Sequence, residues 1–468
     1  MNYIDAVNFL LCLPDMERRS RGPQARTMSL ETMKLLLADL NFPQRGRRTV
    51  HVTGSKGKGS TSAFVASALA MNHSTMLYTS PHLHSYRERI CEDLHPIAES
   101  DFANGVERIM PTVIGVHDGD YGPVSTFGAM TSLFFELCRE KQIEWQVVEV
   151  GLGGLLDATN VFDQTDLVVI TAISLEHTSI LGNTAAEIAA NKGAIIKPGS
   201  IVVLAEQNDP QVLPVINDIC VQQGARLIDV EAEYQIKSSK VTNQGQSFEL
   251  HSKKLGMRSF KLQMLGEHQL RNATTAIAAI DALLEGEASL VARELSVAVE
   301  RVFVPGRMEI VERAPYVILD GAHNGDSASA LVEALGRHVP ASTAKGASAK
   351  NGYVFVLGVN SDKDIKSILE ALAPVSVAIV ACCSASEKAM PLEKISEVAD
   401  SLGVKNFDTR SNCSDALRRA RELADGKQSI CVTGSLYLVA EARELLLGPK
   451  PSWSLEADVE PGVLHQKS

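Results

Sequence analysis

The sequence predicts an α/β protein built as two units on parallel sheets, and three observations predict it. Apolar runs of strand length, such as 145–150 and 167–173, alternate with helical patterns, which is how a parallel sheet covered on both faces reads. Residues 49–70 give a short strand, a glycine loop and the start of an apolar helix, so the first unit is of P-loop type. The alternation halts near 302–305 and restarts, giving a smaller, Rossmann-like C-terminal unit. A chain of 468 residues also exceeds one ordinary core. The expected domains are 1–301 and 302–448, with 449–468 a patternless tail that reads as disordered.

Taken in order, Ile4, Val7, Leu10 and Leu11 have helical spacing and predict a short first helix ending near Pro14. Arg18-Arg19-Ser20-Arg21-Gly22-Pro23 reads as a basic loop, as readily a solvated charge run as a functional one. Ser29 is a natural cap for a helix through Met33, Leu36, Leu37 and Leu40. Strands are expected at 49–52 and 75–78, a helix at 129–140, and strands at 145–150, 167–173 and 202–204. From 235 to 264 polar and apolar residues alternate, which predicts antiparallel strands at the sheet edge, and an Ala-rich helix follows at 272–284. In the second unit, strands at 316–319, 354–357, 375–380 and 430–432 each lead into a helix, and 340–352 reads as a flexible loop.

Composition narrows the function classes. A formal net charge of −11 leaves no electrostatic footprint for nucleic acid, and 5% aromatic residues leave little for base stacking. The eight cysteines are scattered without zinc-ligand spacing, with Cys382 and Cys383 near the end of a strand, as expected of reduced thiols. The N-terminus lacks the pattern of a signal peptide, and the longest apolar runs are strand-sized, too short to span a bilayer. The expectation is a cytoplasmic protein with no membrane or nucleic-acid partner.

Chemistry gathers at the ends of the predicted strands, where open parallel sheets bind ligands. In the loop after the first strand, Gly54, Gly57 and Gly59 free backbone N–H groups to face an anion, with Ser55, Lys56 and Lys58 between them and Ser60 at the helix start. The spacing departs from the strict phosphate-loop form, since Val52 takes the place of the first glycine and Gly59 separates Lys58 from Ser60. Ser80, Glu149 and His177 sit at neighbouring strand ends and offer oxygen and imidazole ligands to a Mg²⁺ shared with phosphate. Taken singly, Ser80 reads as a turn cap, Glu149 as a lysine partner and His177 as a satisfied polar residue; together they favour a metal–nucleotide site.

Seven ordered stretches then resemble the folylpolyglutamate synthase/dihydrofolate synthase branch of the Mur ligase family. They are HVTGSKGKGS at 51–60, TSPHL at 79–83 with ERI at 88–90, EVGLGG at 149–154 with LDATN at 156–160, LGEHQLRNA at 265–273, PGRME at 305–309, LDGAHN at 319–324 and VTGSLY at 432–437. The resemblance implies an ATP-dependent ligase joining a carboxylate of dihydropteroate or a folate to L-glutamate through an acyl phosphate. It implies that the first unit is an ATPase domain whose loop residues 54–60, with Lys58, hold the ATP phosphates. It also implies that Ser60, Ser80, Glu149 and His177 hold Mg²⁺, and that Lys192 carries a carbamate helping to place a second ion. Asn272 from the first domain and Arg307, Asp320 and His323 from the second would complete a split ATP site, with Lys58, Lys192 and His323 closest to the chemistry, in an enzyme expected to be monomeric. Without the resemblance, Lys192 reads as an ordinary ion-paired lysine.

Four positions depart from the family pattern: Lys56 stands where Asn is usual, Gly128 for Glu, Leu155 for Arg and Asn191 for Glu. They bear on the acceptor site and on substrate preference. Two other readings stay open, a Mur-type ligase for another carboxylate and a nucleotide-binding regulator that has lost ligation.

Overall fold

The computed structural model describes residues 1–15, 30–117, 119, 122–242, 245–284, 292–342 and 352–448. The basic run 18–23, the cap expected at Ser29, residues 343–351 of the expected loop and the tail from 449 lie outside the described residues.

The first strand, β1 (Arg48–Thr53), follows two short helices, Tyr3–Cys12 and Leu30–Asp39. Then come β2 (Thr75–Tyr78), β3 (Ile90–Glu92), β4 (His95–Pro96), β5 (Trp145–Glu149), β6 (Leu167–Ile170), β7 (Ile201–Leu204) and β8 (Arg226–Asp229). They form one eight-stranded sheet in the order β4-β3-β2-β5-β1-β6-β7-β8, parallel from β2 to β8 and antiparallel at β3 and β4. Strand β1 lies between β5 and β6, with Val52 opposite Glu149 on one side and Val169 on the other. The chain therefore turns outward in both directions from β1, and the crevice of such a switch point opens at the ends of β1, β5 and β6.

Helix Lys58–Leu69 runs back from that crevice and is buried from Ser60 to Leu69. Its small residues, Ser60, Ser62, Ala63, Ala66 and Ala68, let it pass between the sheet and helix Glu267–Leu283, so the loop before it is anchored on a fully packed element.

The stretch 235–264 corrects one expectation. It is antiparallel, but β9 (Tyr234–Thr242), β10 (Gly245–Ser252) and β11 (Gly256–Leu262) make a separate sheet in the order β11-β10-β9 and do not extend the large one. Alternation along β10 buries Phe248 and Leu250, which with Phe260 and Leu262 share a core with helix Glu267–Leu283. A sheet with one apolar face is satisfied by packing flat on helices and has no need of the edge of another sheet. The true antiparallel edge, β3 and β4, is three and two residues long and gives almost no pattern to read.

The second sheet contains β12 (Glu309–Arg313), β13 (Tyr316–Leu319), β14 (Tyr353–Leu357), β15 (Ser376–Cys382), β16 (Phe407–Arg410) and β17 (Ile430–Thr433), in the order β12-β13-β17-β14-β15-β16. Only β12 is antiparallel, and apolar cores cover both faces. Strand β17 lies between β13 and β14, pairing Val432 with Leu319 and Thr433 with Leu357, so Asp320 and Gly434 emerge side by side. This second switch point faces the first across a cleft of about 2390 Å³ lined by residues of both sheets. No helix among the described residues is long and apolar enough to cross a membrane.

Candidate active site

The glycine loop is shaped by contacts that exclude side chains. Gly54, at φ +146°, passes so close to Thr171 that an added Cβ would stand 1.8 Å from Oγ1, and Gly57, at φ +85°, would place one 2.2 Å from Asn272 Oδ1. Both positions need glycine for conformation and for space. The loop is fastened from beneath: the N–H groups of Ser55 and Lys56 donate to Ala172 O at 2.9 and 3.2 Å, and Ser55 Oγ donates to Ser174 O at 3.0 Å. Asn272 Nδ2 donates to Gln269 Oε1 at 3.0 Å, which holds that side chain against the loop.

Behind the loop sits a concentration of positive charge. Lys58 Nζ and Lys192 Nζ both donate to Gly54 O, at 3.1 and 2.7 Å. Lys192 also reaches Glu176 Oε1 at 3.2 Å, and Lys56 Nζ lies 3.5 Å from Glu176 Oε2. Burial pushes the Glu176 carboxyl up, but Lys58, Lys192 and Lys56 together outweigh it and hold the group below the usual carboxylate range. Lys192 is 1% exposed, and burial, reinforced by the charge of Lys58 against the pull of Glu176, lowers its amine to about 8. Burial and Lys58 likewise lower Lys56, against the attraction of Glu176.

Glu149 ends β5 and is buried; its Oε2 accepts from Ser80 N at 3.0 Å and would lie 3.4 Å from a Cβ on Gly59. A carboxylate thus faces the N-terminus of helix Lys58–Leu69, a favourable electrostatic position. Ser60, Ser80 and His177 line the same cleft, Ser60 buried and His177 exposed at φ +46°. Among the described residues no three His, Cys, Asp or Glu side chains cluster as a metal cage. One carboxylate beside hydroxyl groups and a phosphate loop is nevertheless the donor set that Mg²⁺ favours, because Mg²⁺ keeps water and shares phosphate oxygens. The residues present fit that ion.

On the facing wall two carboxylates grip the backbone on either side of Arg307. Asp320 accepts from Met308 N at 2.8 Å and Ala322 N at 2.9 Å, and Glu309 Oε2 accepts from Gly306 N at 2.9 Å. Glu309 is itself held by the buried Arg443, whose Nε lies 3.0 and 3.1 Å from its two oxygens. Burial raises the Asp320 carboxyl, and the charge of Arg307 opposes that rise. His323 Nδ1 lies 2.8 Å from Gly321 O, and burial brings the imidazole down to about 4, so it is neutral near pH 7.

Lys56, Lys58, Ser60, Ser80, Glu149, His177, Asn272, Arg307, Asp320 and His323 all line one cleft. Lys192 does not line it; it lies behind the loop, under Gly54 and Glu176. Sequence reasoning gave no role to Glu176, although it adjoins His177, and none to Glu309, although it sits within PGRME. Arg443, a lone arginine on helix Leu436–Leu447, gives no sequence signal.

Comparison with known proteins places the whole chain in one family. Residues 125–280 match the Mur ligase middle domain, and residues 307–445 match the dihydrofolate synthetase C-terminal domain. A dihydrofolate synthase/folylpolyglutamate synthase of Mycobacterium tuberculosis is 31% identical over 456 residues, covering 91% of each chain. The chain belongs to the folylpolyglutamate synthase/dihydrofolate synthase family. A folylpolyglutamate synthase structure from M. tuberculosis, complexed with ADP and AMPPCP, superposes with a TM-score of 0.85 at 30% identity over 96% of this chain and all of that one. Another relative, the dihydrofolate synthetase of Saccharomyces cerevisiae, is 28% identical and spans 88% of this chain and 96% of its own. Members of the family thus include both activities, as the two names show.

The buried pair behind Arg307 makes one prediction. Arg443→Met leaves Glu309 buried without its partner, which costs about 3–5 kcal/mol. The expected result is a lowered denaturation midpoint, and a Glu309→Gln/Arg443→Met double variant that recovers part of it. An unchanged midpoint in Arg443→Met would show the pair to be dispensable.

Proposed function

We propose that this chain is an ATP-dependent amide ligase that adds L-glutamate to dihydropteroate, to reduced folate (poly)glutamates, or to both, releasing ADP and phosphate. The observation that carries the reading is the cleft itself. A phosphate loop with Lys58 and Glu149 on one wall faces Arg307, Asp320 and His323 on the other, in a member of this family. The work divides between residues 1–301, which hold the nucleotide phosphates, and residues 302–448, which close over them. Both walls come from one chain, which supports a monomer, and the absence of disulfides among the cysteines supports a cytoplasmic enzyme.

A carboxylate resists an amine because oxide is a very poor leaving group; transfer of the γ-phosphoryl group makes phosphate the leaving group instead. The amides of 54–60 and Lys58 hold the ATP phosphates and offset charge during that transfer. Asn272, packed on Gly57, and Arg307 fix the nucleotide from the two sides of the cleft. His323, neutral near pH 7, can hydrogen-bond a substrate group in the cleft without adding charge. Apposition of the walls keeps water from the acyl phosphate. Ser60, Ser80, Glu149 and His177 would hold Mg²⁺, which when bound neutralises phosphate charge. Lys192, with its amine lowered to about 8, is suited to capture CO₂ as a carbamate, whose anionic oxygens would help to hold a second ion.

Purified protein should release ADP only when ATP, L-glutamate and a pteroate or folate are all present, and Lys58→Ala should abolish that release. Release driven by another carboxylate would favour the Mur-type alternative; nucleotide binding with no release under any combination would favour a regulator. Glu149→Gln should raise the Mg²⁺ concentration needed for half-maximal rate, since it removes a ligand from a sparse shell; the parent's Mg²⁺ dependence would make Glu149 structural. Lys192→Ala should be folded but nearly inactive, with partial rescue by high acetate or formate. Depleting bicarbonate should slow the parent, most of all below pH 8, where the amine is increasingly protonated and cannot hold CO₂. An unmodified Lys192 in the mass spectrum of active protein would refute the carbamate.

A further inference from the structure

Gln246 is a buried glutamine on a face that is otherwise apolar. It stands on β10, the central strand of the small sheet, between Val241 of β9 and Leu262 of β11, and is 3% exposed. Phe248 and Leu250, further along the same face, enter the core shared with helix Glu267–Leu283. Gln246 instead uses both hydrogens of its amide: Nε2 donates to Met264 O and to Gly266 O, each at 2.9 Å. Only the NH₂ side of the amide can serve two carbonyls, which determines its orientation.

Those carbonyls belong to the entry of the helix that carries Asn272. Gly266 is its N-cap, at φ +101°, and has no side chain with which to hold the turn. From there the bonds continue along the first turn. Gly266 O also accepts from Gln269 N at 3.0 Å, and Gln269, 1% exposed, accepts from Asn272 Nδ2 at 3.0 Å through its Oε1. Asn272 Oδ1 ends the series against Gly57, where an added Cβ would stand 2.2 Å away. Apolar contacts of Ala276, Ile277 and Ile280 hold the helix to its neighbours, but such contacts are non-directional and set its axial position and rotation only loosely. Hydrogen bonds are directional and set both. A misplacement of about 1 Å remote from the chemistry can cost on the order of 10²-fold in rate. The close fit of Asn272 to Gly57 leaves no such slack.

We propose that Gln246 is a positioning residue for the nucleotide site, acting through Gly266 and Gln269 to hold Asn272 where it meets the nucleotide. The inference rests on the ligase reading given above, in which Asn272 helps to fix the nucleotide. It gives the small sheet a part in that reading, since β10 carries the side chain that sets the start of helix Glu267–Leu283. Gln246 does not line the cleft and touches no reacting atom.

The test is a double-mutant cycle on the full chain, read by affinity for AMPPCP. Gln246→Met keeps the length of the side chain and removes its donors, and should weaken AMPPCP about tenfold. Asn272→Ala should weaken it as well. Gln246→Met/Asn272→Ala should then bind within about twofold of Asn272→Ala alone, because a residue that acts through Asn272 has nothing left to act on. In the complete reaction Gln246→Met should raise KM for ATP and leave KM for L-glutamate within about twofold of the parent's, a split that general loosening of the fold would not give. Should Gln246→Met fail to fold, Gln269→Met breaks the series one link nearer to Asn272 and carries the same expectations. Parental AMPPCP affinity in Gln246→Met, or in Asn272→Ala, would overturn the positioning role and leave the ligase reading intact. Losses that simply add in the double variant would overturn it too, making Gln246 a support of the fold alone. A parent that neither binds AMPPCP nor releases ADP would remove the ligase reading and this inference together.

Discussion

Three ammonium groups held by one carboxylate and one backbone carbonyl are the constraint on which the rest of the site depends. Glu176 and Gly54 O bring Lys56, Lys58 and Lys192 together at a loop where Gly54 and Gly57 leave no room for other side chains, Lys56 and Lys58 on the cleft side and Lys192 behind. Like charges this close are tolerable only where an anion completes them or where one becomes neutral. The structure supplies both routes: the loop opens to a large cleft, and the most buried of the three amines is the one lowered to about 8. A concentration of positive charge is thus built into the packing.

What gives this cluster its address is strand order. Placing β1 between β5 and β6 puts Glu149, the glycine loop and 171–177 at one sheet end, and placing β17 between β13 and β14 does the same for Asp320 and Gly434. The two halves touch on both flanks of the cleft. Leu83 packs on the C-terminal core and His84 Nδ1 lies 3.0 Å from Glu444, while Arg337 pairs with Glu267 on the other side. An exposed ion pair such as Arg337–Glu267 contributes only about 0–1 kcal/mol, and burial lowers the His84 imidazole, so its contact with Glu444 is a hydrogen bond and not a charge pair. Such contacts align the walls without locking them.

Arg307 shows how rigidity is supplied where it is needed. Its neighbours Gly306 and Met308 are held by Glu309 and Asp320, and Glu309 in turn by a buried arginine. Arg307, which lines the cleft, is thus held in place through the backbone on either side of it.

The sequence by itself determined most of the elements and the residues that gather at the cleft. Apolar runs identified the central strands, and the run 51–60 identified a strand, glycine loop and helix start, because glycine spacing and helix starts are local properties of a few adjacent residues. Ordered motifs pointed to Glu149, Arg307 and His323, and the polar end of a predicted strand to His177, all of which line the one cleft. Partnerships were decided only in three dimensions. That β9–β11 form a sheet of their own depends on which helix face they cover, and an alternating pattern is the same in either case. That Glu176 bridges Lys56 and Lys192, that Lys192 lies behind the loop, and that Arg443 supports Glu309 from 134 residues away depend on contacts between distant segments. No local periodicity encodes such contacts, because their energy comes from shared burial and charge, which exist only once the chain has folded.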